Sequence, residues 1–339
     1  MTFKLKPVDE QVIVVTGASS GNGLAIAEEA ARRGAAVVLV ARSGEALNHI
    51  AQRLQAGGAR VAVCVADVAL PGDVARIAEV AIAAFGRFDT WVNNAASGAY
   101  GTMEQLSLDD HRRIMDVNYF GVLEGSLVAA KHLRGHGGAI INIGSVLGDA
   151  SVLLQGAYAA SKHAVHAATE TLRMELERDG APISVTLIQP ASMHTPFAER
   201  ARSYLDAPPR LPPLLYDPRL VADAVLFAAA HRRRTLRVGS AGQWISLGRA
   251  VAPATSEFLI RTFGKALQVS RDPGNPAWRD TLFEPRPAGA IEGSQALVVR
   301  RHSYILEAQK RPGLTALMIS AGAMVAFVAL RRWLRPRRV

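Results

Sequence analysis

Residues 12–33, Val-Ile-Val-Val-Thr-Gly-Ala-Ser-Ser-Gly-Asn-Gly-Leu-Ala-Ile-Ala-Glu-Glu-Ala-Ala-Arg-Arg, decide the fold. Val12–Thr16 is a short β-branched run, which reads as a buried strand. Gly23–Arg33 repeats its apolar residues at helical spacing. The glycine-rich turn between them lets a backbone come close to a pyrophosphate at a helix N-terminus, where free N–H groups and the positive dipole end favour an anion.

Working outward, the same alternation continues. Ala36–Ala41, Arg60–Val65, Thr90–Asn93, Ala139–Gly144 and Ile183–Gln189 read as strands. Glu45–Gln55, Asp73–Phe85, Asp109–Leu133 and Tyr158–Arg178 read as helices between them, the third introduced by a capping-box-like Ser107-x-x-Asp110. Strands this apolar imply a parallel sheet covered on both faces. The expected fold is therefore α/β, a Rossmann-like doubly wound sheet over residues 1–240. Pro218–Ala230 and Leu236–Gly239 would be its last helix and strand. Residues 241–313 show weak periodicity and are left as an irregular extension. Residues 314–339 end the chain with an apolar helix and a basic tail.

Charge divides the molecule. Of the net +10, residues 1–230 carry −3 and residues 231–339 carry +13. Basic segments suit nucleic acid or anionic lipid. Leu314–Leu330 has no charged residue, and five arginines follow it within residues 331–338. Seventeen residues at 1.5 Å span roughly 25 Å, short for a bilayer. Trp333 stands where an interfacial anchor would. The expectation is membrane association through 314–339, with no nucleic acid as partner and the catalytic part in the cytoplasm. A buried terminal helix is the competing reading. The N-terminus has no apolar stretch of the secretory kind. Single Cys64 excludes an intramolecular disulfide and a multi-cysteine zinc site. His163 and His166 share a helix without a third ligand nearby in sequence, so no metal is expected.

Several motifs are arranged in a telling order. They are Gly17-x-x-x-Gly21-x-Gly23, Asn93-Asn94-Ala95-Ala96 after the fourth strand, and Asn118 on the long helix. Ser145 follows, thirteen residues before Tyr158-x-x-x-Lys162, and then Pro190-Ala191-x-x-x-Thr195. Together, over about residues 10–240, they resemble the short-chain dehydrogenase/reductase family. Ala96 replaces a glycine of that pattern, and Asn22 stands where an aliphatic residue is usual. The resemblance implies hydride transfer between a nicotinamide dinucleotide and a carbonyl or alcohol carbon. It implies Tyr158 as acid/base, Lys162 lowering its pKa, Ser145 orienting the carbonyl and Asn118 in a proton relay. It also implies a cofactor site from Gly17, Ser19, Ser20, Gly21, Asn22, Gly23, Arg42, Asp67, Val68, Asn94, Ala95, Tyr158, Lys162, Pro190 and Thr195, and a homo-oligomer.

Chemistry makes those roles reasonable. A tyrosine near pKa 10 is a weak catalyst at pH 7 unless a neighbouring cation favours its anion. Tyr158 and Lys162 are i and i+4 on one helix face. The second strand ends Ala41-Arg42-Ser43, without the acid that would hold a ribose 2′-hydroxyl, and an arginine there can take a 2′-phosphate. NADP(H) is therefore expected, with NAD(H) as the alternative. Met193, Phe197, Tyr204, Leu211, Leu214, Leu215 and Tyr216 in the proline-rich stretch 191–217 suit an apolar, lipid-like carbonyl or alcohol, the alternative being that they pack against the domain. The rival to catalysis is a dinucleotide-binding scaffold without turnover.

Overall fold

A computed structural model describes residues 3–270, 279–286 and 289–313, and five positions beyond them: Thr315, Leu317, Ser320, Met324 and Phe327. Seven parallel strands form the central sheet. They are β1 Val12–Thr16, β2 Ala36–Ala41, β3 Val61–Val65, β4 Thr90–Asn93, β5 Gly138–Ile143, β6 Ile183–Pro190 and β7 Thr235–Val238. Their spatial order is β7-β6-β5-β4-β1-β2-β3, so the winding reverses between β1 and β4. Ligands bind in such sheets outside the carboxyl ends of the strands at that reversal.

The five inner strands bury both faces, as their unbroken apolar runs require. Ile13, Val15, Val37 and Leu39 join one core, and Val12, Val14, Val38 and Val40 join the other. The first core takes helices α1 (Gly21–Arg32), α2 (Gly44–Ala56) and, after β6, Arg219–Ala230. The second takes α3 (Asp73–Phe85), α5 (Gly121–Leu133) and α6 (Gly156–Arg178). Helix α4, Leu108–Met115, begins with the expected cap: Asp110 N–H donates to Ser107 Oγ and Ser107 N–H to Asp110 Oδ2, both at 3.1 Å.

The structure departs from the sequence reading in two places. The expected helix Asp109–Leu133 is interrupted, because Asp116–Phe120 forms a π-helical turn between α4 and α5. Such turns cluster at functional sites, and this one carries Asn118. The stretch read as irregular after residue 240 contains three helices. With Arg219–Ala230 taken as α7, these are α8 Ala241–Val251, α9 Pro253–Gln268 and α10 Tyr304–Lys310. The weak period has a physical cause. Ile245, Leu259, Phe263 and Leu267 line a cavity, while Trp244, Leu247, Val251 and Phe258 face solvent, so apolar residues ring both helices. Among the described residues no helix is long and apolar enough to cross a membrane. Most of Leu314–Leu330 and all of the basic tail lie outside them.

Candidate active site

A cavity of about 660 Å³ opens along the carboxyl ends of the strands. At one end is the turn Gly17–Gly23, and at the other the Ser145, Tyr158 and Lys162 side chains. The glycines are there because nothing larger fits. Gly17 has φ +69°, and a Cβ on it would stand 2.8 Å from Ala95 Cα. A Cβ on Gly23 would collide with the carbonyl oxygen of Gly17. The turn is braced from β4: Asn94 Nδ2 donates to Thr16 O at 2.9 Å, and the Asn94 and Ala95 N–H groups donate to Thr16 Oγ1. Asn94 therefore shapes the turn with its side chain while lining the cavity.

Every residue named from the sequence as catalytic or cofactor-binding lines this cavity, except Asn118. Ser19, Ser20, Gly21 and Asn22 face it from the turn. Arg42 and Ser43 face it after β2, Asp67 and Val68 after β3, and Pro190 and Thr195 after β6. Asn118 is fully buried behind it. Its Nδ2 donates to Ser97 O and Ser161 Oγ, both at 2.9 Å, and its Oδ1 accepts from Ser97 N–H at 2.8 Å. Both amide hydrogens are thus committed, one to the loop after β4 and one to Ser161 on α6.

Burial sets the state of the Tyr158 and Lys162 pair. Lys162 is buried, donates from Nζ to Ile143 O at 2.8 Å, and lies 5.6 Å from the Tyr158 ring centroid. Loss of solvent pulls its pKa down to about 8. Tyr158 is half-buried on the cavity wall, and loss of solvent pushes its pKa up to about 12, with Ser145 pulling the other way. The phenol is therefore protonated at neutral pH and the ammonium is charged. Ser145 Oγ also accepts from Leu147 N–H at 3.1 Å, which fixes the serine at the start of a short 3-10 turn. The Phe197 ring sits 5.2 Å from that of Tyr158.

A second charged cluster stands at the far end. Arg42 donates to the backbone carbonyls of Thr281, Leu282 and Phe283 and lies 3.9 Å from Asp67. Arg113 Nη2 binds the same carboxylate at 2.5 Å. Asp67, expected in the cofactor site, is thus held in an ion pair, and two guanidinium groups share one carboxylate. Arg200 lines the cavity too, and donates from Nη1 to Ser20 Oγ at 2.8 Å. Desolvation lowers its pKa, Glu199 opposing and the Arg286 charge assisting. The neighbouring Glu199 turns away, accepting from Ser294 N–H and Oγ. Arg113, Arg200 and the walls from α8 and α9 escaped the sequence reading. No motif marks them, because segments distant in sequence bring them to the site.

The residues fit a dinucleotide. The turn leaves a cradle that any Cβ would fill, unbalanced guanidinium charge stands beside it, and the buried Asn22 Oδ1 and Ser97 Oγ on the cavity wall have no protein partner. Buried polar atoms of this kind call for a ligand or water.

Of the expected substrate residues, Met193, Phe197, Leu211 and Leu214 line the cavity. Leu215 and Tyr216 are packed into the cores, and Tyr204 donates its hydroxyl to Asp110.

Comparison with known proteins agrees with the geometry. A family model described as short chain dehydrogenase matches residues 11–205. The uncharacterized oxidoreductase YxnA of Bacillus subtilis (strain 168) is 41% identical over 333 residues, spanning 97% of this chain and 93% of the relative. A short-chain dehydrogenase/reductase of Burkholderia phymatum, solved with NAD, is 30% identical with a TM-score of 0.63, covering 82% of this chain and 100% of that one. An alcohol dehydrogenase of Thermococcus sibiricus, solved with 5-hydroxy-NADP, is 27% identical with a TM-score of 0.60, covering 67% of this chain and 95% of that one.

Proposed function

The chain belongs to the short-chain dehydrogenase/reductase family and is an oxidoreductase of alcohol and carbonyl groups; from that premise we propose that it acts with NADP(H) on an apolar, lipid-like carbonyl. The observation that carries this reading is one continuous cavity, with a phosphate turn and excess guanidinium charge at one end and Ser145, Tyr158 and Lys162 beneath an apolar wall at the other.

A bound nicotinamide dinucleotide supplies or accepts the hydride. The chain's own residues do the rest. Ser145 Oγ donates a hydrogen bond to the substrate oxygen and steadies the charge that develops there. Tyr158, a protonated phenol at neutral pH, delivers its proton to that oxygen, which suits the reducing direction. The Lys162 cation, fixed by Ile143 O, favours the tyrosinate left behind. Because both amide hydrogens of Asn118 are engaged, its part in a proton relay falls to its main chain.

Phosphate recognition belongs to the guanidinium groups. Arg42 and Arg113 share Asp67, leaving one positive charge over for a 2′-phosphate. Arg200, beside Ser20 and without an ion pair among the described residues, faces the same dinucleotide and is assigned to a phosphate of it. The site is placed in the cytoplasm, where the cofactor is supplied, with residues 314–339 as a membrane anchor. Assembly through α5 and α6 is supported by the exposed apolar side chains Phe120, Leu127 and Met174.

The test is a substrate screen by NADPH consumption, with and without detergent, alongside dinucleotide binding. Tight NADPH binding and turnover of apolar carbonyls are expected. Turnover confined to small water-soluble carbonyls would overturn the substrate class.

A further inference from the structure

Helices α8 and α9 carry an apolar surface that nothing among the described residues covers. Trp244, Leu247 and Val251 are 72%, 51% and 75% exposed at positions i, i+3 and i+7 of α8, one face of the helix. Phe258 at the start of α9 is 54% exposed beside them in sequence. The other face of the pair is anchored. Ser246 Oγ donates to Asp149, Gln268 Nε2 donates to Leu153 O, and Gln268 Oε1 accepts from the buried Gln155. The helices are therefore docked onto the catalytic part by their inner sides and present apolar side chains outward. A contiguous patch of large apolar residues on a water-facing surface marks an interaction site.

Two features identify the occupant. The first is charge. From residue 240 to 268 the only acid is Glu257, against Arg249, Arg261 and Lys265, and none of these forms an ion pair among the described residues. Aromatic and aliphatic residues outward, with cations around them that no acid neutralises and Arg261 over the Phe258 ring at 5.8 Å, is the pattern of a helix lying in the interface of an anionic bilayer. The second is the cavity. Ile245, Leu259, Phe263 and Leu267 both line it and are exposed, so they form its rim, and this rim belongs to the same two helices.

We propose that α8 and α9 are a membrane-docking surface for anionic lipid, which seats the mouth of the cavity on the bilayer so that an apolar substrate enters from the lipid. The docking is separate from any anchor at residues 314–339. The route of entry rests on the apolar-carbonyl reading above, whereas the docking does not.

The experiment uses the full chain. Cys64 is buried, so an environment-sensitive dye placed on Val251→Cys reports one position. A second dye on Ile82→Cys, exposed late in α3, toward the amino ends of the strands and away from the cavity at their carboxyl ends, is the comparison. With phosphatidylcholine vesicles containing phosphatidylglycerol, the dye at 251 shifts blue and is quenched by brominated lipid, while the dye at 82 does neither. The double variant Trp244→Glu/Phe258→Glu, which leaves the cavity lining intact, loses that response. Its affinity for the vesicles falls roughly tenfold or more, and turnover of vesicle-dispersed substrate falls with it, while turnover in detergent persists. A protein bound to vesicles with the dye at 251 still in water overturns the proposal, as does an absence of vesicle binding. A blue shift that follows protein concentration without lipid assigns the face to a second copy and equally overturns it. Insertion at 251 without reduction of any carbonyl defeats the enzymatic reading instead.

Discussion

Tyr158 and Lys162 stand with the Lys162 Nζ 5.6 Å from the phenol ring, and both have lost solvent, so attraction and desolvation oppose each other there. Spacing of four places a cation by a phenol, which should lower the phenol's pKa. Burial of both groups works against it, raising Tyr158 to about 12 and lowering Lys162 to about 8. The pair is thus held in its doubly protonated form at pH 7. As pH rises through about 8, Lys162 loses the charge that steadies the tyrosinate. The carbonyl-reducing rate is expected to decline between about pH 7 and pH 9. A flat profile across that window would show that Lys162 does not titrate there. Tyr158→Phe should lower kcat by roughly 10²–10⁴-fold with NADPH affinity nearly unchanged; a variant with wild-type turnover would point to a scaffold. Lys162 also ties stability to pH. Its folded pKa lies below the unfolded value of 10.5, so between about 8 and 10.5 only the unfolded chain holds the proton. Wild type should therefore gain on Lys162→Met by on the order of 3 kcal/mol from pH 7 to pH 10.5, measured by urea denaturation. At the other end of the cavity, Arg42→Ala should weaken NADPH by about ten- to a hundredfold and NADH far less, since a charged hydrogen bond contributes about 1.5–3 kcal/mol. Arg200→Gln should weaken whichever dinucleotides place a phosphate beside Ser20. Fluorescence titration with both cofactors separates a 2′-phosphate contact from a diphosphate one.

Elements show where sequence reading succeeds and where it stops. The seven strands and the glycine turn were legible because β-branched runs, helical spacing and a turn that excludes side chains are local signals. Ser145, Tyr158 and Lys162 were legible because their spacing survives in one stretch of chain. The π turn at Asp116–Phe120 was not, since no local spacing separates such a turn from the α-helix around it, and the partners of Asn118, Ser97 and Ser161, are distant in sequence. Nor were α8 and α9, whose apolar residues serve a cavity on one side and face outward on the other. Helix α5 also hides a constraint. A Cβ on Gly125 would strike Asn93 Oδ1 and stand 2.9 Å from Trp91 Nε1. Those atoms begin a buried chain of hydrogen bonds, Trp91 to Asn93, Asn93 to Asn142 and Ser126, and Asn142 to Thr169. This network ties α5 and α6 to β4 and β5 under the active site. Gly125→Ala is expected to destabilise by about 1–3 kcal/mol, and to lower kcat by disturbing the helix that carries Tyr158. A thermal melt within experimental error of wild type would remove the constraint.

For the whole molecule, the question is how the last third, with its +13 charge, relates to the sheet. Its described segments are woven into the catalytic part. Val299–Arg300 pairs in parallel with Leu215–Tyr216. Gln309 bonds both the N–H and the C=O of Arg237 in β7 at 3.0 Å, and Lys310 pairs with Asp223 of α7 at 2.7 Å. Ser303 Oγ accepts from Gly239 N–H at 3.0 Å, and Leu306 is fully buried in the core under α1 and α7. Nearer the cofactor end, Ala290 O accepts from Gly21 N–H in the phosphate turn, and the carbonyls of Thr281–Phe283 hold Arg42. The extension thus contributes to the same cores and the same site as the sheet. An element bound through shared buried contacts cannot melt ahead of the core it completes. Leu306→Ala should cost about 2–5 kcal/mol by lowering one common unfolding midpoint, read alike by far-ultraviolet circular dichroism and by tryptophan fluorescence. Its loss should also weaken NADPH binding, because α10 and the segment reaching Gly21 belong to one strap across the site. Two separated transitions, with the dinucleotide shifting only the later one, would instead make the extension an independent unit resting on a finished sheet.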